Sequence, residues 1–128
     1  MTPALHTGDL RGLLRDYCGA LGFAPVQYVP GVFALCALGS ARLQLWQRAG
    51  WQPPARGQAL RVTVAAGVFG LYARMAPAAR GRLVGPPALE PWGAWEFTLH
   101  DVQGNRLTFV EWAVPLPQAV RRAPRPAT

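Results

Sequence analysis

The chain has 128 residues, 51% of them apolar, enough for one domain with a real core and too apolar for disorder throughout. Its formal net charge is +7, carried entirely by arginine because the chain has no lysine. No apolar run is long and clean enough to span a bilayer, and the opening Met1-Thr2-Pro3-Ala4-Leu5-His6 lacks the basic and apolar regions of a signal peptide, so a cytoplasmic bacterial protein is expected.

Residues 3–8 read as a strand, and Asp9 is placed to cap a helix. Leu10, Leu13, Leu14, Tyr17, Cys18 and Leu21 then recur at the spacing of one helical face, and Gly22 ends it. Pro25 to Tyr28, Val32 to Leu38 and Arg42 to Gln47 read as three strands, punctuated by Pro30-Gly31 and Gly39-Ser40. Residues 48–58, with Gly50, Pro53, Pro54 and Gly57, read as a linker. The pattern then recurs. Leu60 to Ala65 is a strand. Val68, Leu71, Tyr72 and Met75 repeat the helical face, and Pro77 stops it. Arg82 to Val84 reads as a short strand and Gly85-Pro86-Pro87 as a loop. Leu10-Arg11-Gly12-Leu13-Leu14 set against Val68-Phe69-Gly70-Leu71-Tyr72 is a faint internal repeat.

The last element is the clearest. Trp95, Phe97 and Leu99 alternate with Glu96, Thr98 and His100, the period of a half-buried strand. Asp101 can cap a turn, Gly104 supplies a positive φ, and Arg106-Leu107-Thr108-Phe109 returns as the partner strand. Residues 114–128 carry four prolines and three arginines and read as a mobile tail. Cys18 and Cys36, the only cysteines, both fall on apolar faces and read as buried, reduced thiols rather than a disulfide. The arginines are scattered outside the tail and no nucleic-acid motif accompanies them. Abundant alanine, glycine, proline and arginine without lysine or isoleucine is the usage of a GC-rich genome, so nucleic acid is not the expected partner.

The spacing of Pro91-Trp92-Gly93, Glu96-Phe97, Asp101 and Gly104-Asn105 resembles the closing hairpin of the glyoxalase, bleomycin-resistance and extradiol-dioxygenase (vicinal oxygen chelate) superfamily. Thr2-Pro3 before Asp9, Leu21-Gly22-Phe23 after the first helix, and Phe33 to Trp46 extend the resemblance over about residues 2 to 113. Thr-Pro and Pro-Trp-Gly point to the bleomycin-resistance branch. The resemblance departs at Asp16-Tyr17, where an aromatic pair is usual, and at Asp101-Val102, where Asp-Pro is usual. It implies an α+β fold: two βαβββ modules, about residues 1–50 and 58–113, forming a curved mixed sheet around a cleft. Many members share each cleft between two chains, so a homodimer is implied.

Metal-dependent members carry a His on the first strand, a His or Glu early in the second module, and a Glu on the last strand. The matching positions here are Thr2, Ala59 and Thr108, which cannot supply such a site. His6, Glu96 and His100 are stray candidates, and Glu111 has the outward parity. No metal or other cofactor is therefore expected, and Ser40 and the two histidines suggest no catalytic constellation.

With the resemblance taking Thr2, Ala59 and Thr108 as the inward face, strand parity turns Arg61, Thr108 and Trp112 toward the cleft, together with His6, Thr63, Arg106 and Val110. Glu96 and Thr98 share that face on the neighbouring strand, and the same resemblance implies that Arg42, Gln44 and Trp46 do so too. Trp51 and Trp92 flank it on loops. Tryptophans beside arginines suit a planar, anionic ligand. Arg42 and Arg61 could equally pair with Glu96, and Trp46 and Trp112 could equally pack at an interface. The expected function is non-catalytic binding of a small aromatic or amphipathic molecule, as in antibiotic-sequestering relatives. The bleomycin-binding relatives are acidic and bleomycin is cationic, so the charge of +7 opposes that particular ligand. The alternatives are a glyoxalase-like lyase, isomerase or dioxygenase with a divergent metal site, and a nucleic-acid or partner-binding module using the Arg/Pro tail.

Overall fold

A computed structural model describes residues 2–113. The proposed tail, 114–128, lies outside the described residues. The first module contains β1 (Ala4–Thr7), α1 (Leu10–Leu14), β2 (Ala24–Val29), β3 (Phe33–Leu38) and β4 (Ala41–Gln47). The second contains β5 (Ala59–Thr63), α2 (Val68–Met75), β6 (Leu83–Leu89), β7 (Ala94–His100) and β8 (Arg106–Trp112). Each module forms a four-stranded mixed sheet with the same order, β1-β4-β3-β2 and β5-β8-β7-β6. β1 pairs parallel with β4 and β5 parallel with β8, while the remaining pairs are antiparallel. The faint repeat in the sequence is thus a repeat of topology. Among the described residues no helix is long and apolar enough to cross a membrane.

One face of each sheet packs against the helices in a single apolar cluster that draws on both modules. Leu5, Ala34, Cys36, Leu43 and Leu45 face it from the first sheet, and Val62, Phe97, Leu99, Leu107 and Phe109 from the second. Phe97 and Phe109, cross-strand partners, stack at 5.1 Å.

Three local readings need correction. The first helix does not run regularly to Leu21. α1 ends at Leu14, and Arg15–Ala20 is a π-helix, closed by the Leu21 amide donating to the Asp16 carbonyl five residues back. The wider turn buries two adjacent residues, Asp16 and Tyr17, which an ordinary helix would splay apart. Second, Gly85-Pro86-Pro87 is not a loop. It lies inside β6, where the register with β7 shifts between Val84 and Ala88. β6 is an edge strand, so prolines that cannot donate to a ladder are tolerated at such a bulge. Third, Cys18 is only partly buried, unlike Cys36.

The closing hairpin has the expected turn. Asp101 Oδ1 accepts from the amides of Gln103 and Asn105, and the Gly104 amide donates to the Asp101 carbonyl. The same carboxylate joins the modules, because Tyr17 donates its hydroxyl to Asp101 Oδ2 at 2.8 Å. Burial, and next the neighbouring Asp101, push the Tyr17 hydroxyl well above its usual range. Gln58, at the end of the linker, is a second joint. Its side-chain amide exchanges two hydrogen bonds with the backbone of His6 and so occupies the free edge of β1.

Candidate functional site

The faces turned away from the helices carry the side chains that parity placed in a cleft. On the first sheet the register aligns His6 with Trp46, Phe33 with Trp46, and Leu35 with Gln44. On the second it aligns Arg61 with Thr108, Thr108 with Thr98, Glu96 with Val110, and Ala94 with Trp112. Period-2 alternation keeps these residues on one face of their sheet, with no bulge inside β4, β5, β7 or β8 to reverse it.

The second-sheet face holds the most developed arrangement. Arg61 clamps Glu96 through two prongs, Nη2 to Oε2 at 2.6 Å and Nη1 to Oε1 at 3.3 Å. Trp92, on the turn before β7, donates its indole N–H to Glu96 Oε2 at 2.6 Å. Glu96 is buried, yet Trp92 remains 54% exposed. The ring is thus held by its one polar atom while much of its surface faces solvent. Trp112 is 48% exposed on the same face. Val110, of the same parity, is buried and offers no surface.

The first-sheet face carries its own contacts. Phe33 and Trp46 stack at 4.8 Å with their planes 18° apart, and Trp46 donates its N–H to Gln44 Oε1. Arg42 does not pair with Glu96. Its guanidinium turns back to the carbonyls of Gly39 and Ala41, its nearest acceptors at the β3–β4 turn. Among the described residues, no hydrogen bond, ion pair or aromatic contact joins Arg42, Gln44 and Trp46 to Arg61, Trp92, Glu96, Thr98, Thr108 and Trp112. The two groups thus make their described contacts each on its own sheet. Parity assigns a face to a residue but says nothing about which faces meet.

Trp51 borders the first-sheet face through His6. It packs on His6, ring centroids 5.4 Å apart, while Arg48 Nε donates to His6 Nδ1. Phe33 was not singled out from the sequence. Its register opposite Trp46 is the signal that finds it. Glu111 points away as its parity requires, and its carboxylate accepts from the Val68 amide at the start of α2.

Of the positions that the resemblance assigns to metal ligands, Ala59 and Thr108 do not fit a metal. Ala59 has no donor atom. The Thr108 hydroxyl is hydrogen-bonded to that of Thr98 at 2.9 Å, and the nearby Glu96 carboxylate is engaged by Arg61 and Trp92. Among the described residues no three His, Cys, Asp or Glu side chains converge.

No family model matches the chain, and no curated protein matches it by sequence. Solved structures do. A bleomycin resistance determinant encoded on transposon Tn5 superposes with a TM-score of 0.68 at 21% identity, over 89% of this chain and 98% of the other. A bleomycin-binding protein from bleomycin-producing Streptomyces verticillus, solved with copper(II)-bleomycin, gives 0.66 at 22% identity over 85% and 92%. A lactoylglutathione lyase from Agrobacterium tumefaciens gives 0.58 at 22% identity over 87% and 92%. The chain thus has the glyoxalase/bleomycin-resistance fold, with its two-module α+β architecture.

Proposed function

We propose that this protein binds a planar, amphipathic small molecule and withholds it without altering it. The observation that carries this reading is Trp92: an exposed indole whose orientation is held by a buried carboxylate that Arg61 in turn clamps. A ring fixed before the ligand arrives loses little freedom on stacking, which favours affinity. Arg106 on the same face is exposed, and with the net charge of +7 it favours an anionic ligand over a cationic one. The likeness to drug-binding proteins of the same fold agrees with this reading, and so does the poor fit of a metal.

The proposal includes a cytoplasmic homodimer in which the Trp46–Phe33 patch of one chain faces the Trp92–Trp112 patch of another. The lyase alternative is favoured by the likeness to the Agrobacterium lyase. The deciding experiment is a thermal-shift and tryptophan-quenching screen with aromatic anions, matched cations and bleomycin. Recovered ligand is analysed by mass spectrometry, with and without added divalent metal. Saturable stabilisation by an anion, recovered unchanged, is expected. Metal-dependent conversion of a ligand would replace this reading with the lyase.

A further inference from the structure

Cys36 points into the core from the first sheet, on the side opposite the proposed ligand face, and neither cysteine has a part in the binding reading. Cys18 Sγ and Cys36 Sγ are 3.6 Å apart. Cys36 is fully buried on β3, whereas Cys18 is half-buried beside a shallow groove lined by Arg11, Leu14, Arg15, Gly19 and Tyr28. Cys18 rides on the π-helical turn, whose backbone departs from the regular α-helix. Closing the gap from 3.6 Å to the roughly 2.05 Å of a disulfide asks the turn to move by little more than one bond length.

We propose that Cys18 and Cys36 are a reversible thiol–disulfide pair, oxidised by a small hydroperoxide that reaches Cys18 from the groove. In the first step the Cys18 thiolate attacks one peroxide oxygen. The S–O bond forms, the O–O bond breaks, and the leaving group takes a proton, hydroxide departing as water or the alkoxide of an organic hydroperoxide as an alcohol. In the second step the Cys36 sulfur attacks the Cys18 sulfenic sulfur. The S–S bond forms, the S–O bond breaks, and hydroxide departs as water with the Cys36 proton. Two thiols lose two electrons and the peroxide gains them.

The pair has a structural consequence. Asp16 and Tyr17, next to Cys18 on the same turn, hold Arg82 and Asp101 of the second module. Drawing Cys18 toward β3 acts on the turn that joins the modules. Burial pushes both thiols up, Cys36 to about 12, so the reaction is slow at neutral pH and quickens as pH rises.

The test treats the full chain with hydrogen peroxide at several pH values, blocks remaining thiols by alkylation, and digests with chymotrypsin. Cleavage after Phe23, Tyr28 or Phe33 separates the two cysteines, so their peptides stay joined only through a disulfide. The expected result is a monomer lighter by two hydrogens, a Cys18–Cys36 cross-linked peptide and recovery of both thiols with dithiothreitol. The yield at fixed time should rise with pH. Cys36→Ala should leave Cys18 as a trappable sulfenic acid. If wild-type protein shows both cysteines alkylated after oxidation, only over-oxidised Cys18, or only disulfides between chains, the pairing is wrong. The wild-type peptide map decides the matter even if the variant folds poorly.

Discussion

Arg82 grips Asp16 across 66 residues of sequence, with Nη2–Oδ1 at 2.9 Å and Nη1–Oδ2 at 3.0 Å. The Asp16 side chain is 2% exposed and the Arg82 side chain 24%, so the carboxylate is the dependent partner. Asp16 also accepts from the Val102 amide. Removing the arginine strands a buried charge; removing the aspartate leaves an arginine that water can reach. Arg82→Ala should therefore cost about 3 kcal/mol in denaturant unfolding, and more than Asp16→Ala. Equal, small losses would mean the pair contributes little to joining the modules.

Gly57 is the tightest approach between linker and hairpin. It has φ +74°, and a Cβ there would meet the Gly104 carbonyl oxygen at 2.1 Å. Gly57→Ala combines a left-handed backbone with a clash against backbone, so a loss of about 2 kcal/mol or more is expected by thermal or chemical denaturation. At Gly22, also at positive φ but with open space around it, Gly22→Ala should cost about 1 kcal/mol from the backbone alone.

The ligand platform makes a prediction in which affinity and stability part. Trp92→Ala should weaken an aromatic ligand by about 1 to 3 kcal/mol and barely change melting, because much of the ring is exposed. Glu96→Gln keeps one acceptor oxygen for the Trp92 and Arg61 donors to share and loses the charge, so it should weaken binding through loosened orientation. Arg61→Ala should lower stability as well, since it strands the buried Glu96. Unchanged affinity in Trp92→Ala, measured by calorimetry, would move the site elsewhere.

Assembly is tested by sedimentation. The two open patches carry Trp46, Phe33, Trp92 and Trp112, and burying them between chains favours association. The 13.8 kDa chain should sediment as a dimer at micromolar concentration. A persistent monomer would leave each patch to act alone.

Stability should fall at alkaline pH. The Cys36 thiol is raised from 9.0 to about 12 by burial, and Tyr17 is raised above 10.0, first by burial and then by Asp101. Between those values the unfolded chain binds fewer protons than the folded one, so stability present below pH 9 is lost as pH rises toward 12. Under reducing conditions, Cys36→Ala should flatten the decline of melting temperature that wild type shows from about pH 9.

Much of this was legible in the chain itself. Period-2 alternation from Trp95 to Phe109, Asp101 and Gly104 at the turn, and the apolar faces of both helices are local patterns, and each describes how a segment meets its own neighbours. Even the pairing of Arg61 with Glu96 was open to sequence reasoning, because parity put both on one face. Other features depended on groups far apart in sequence. On the π-helical turn Asp16 and Tyr17 both find partners, Arg82 and Asp101, in the other module. The prolines of β6 fit a strand because that strand is an edge with a bulge. Which sheet faces meet is likewise beyond local pattern, because face parity is a property of a single strand, whereas the meeting of two faces depends on how whole sheets pack. The approach of Cys18 to Cys36 is of the same kind, since only the packing of the first helical segment on β3 brings their sulfurs to 3.6 Å.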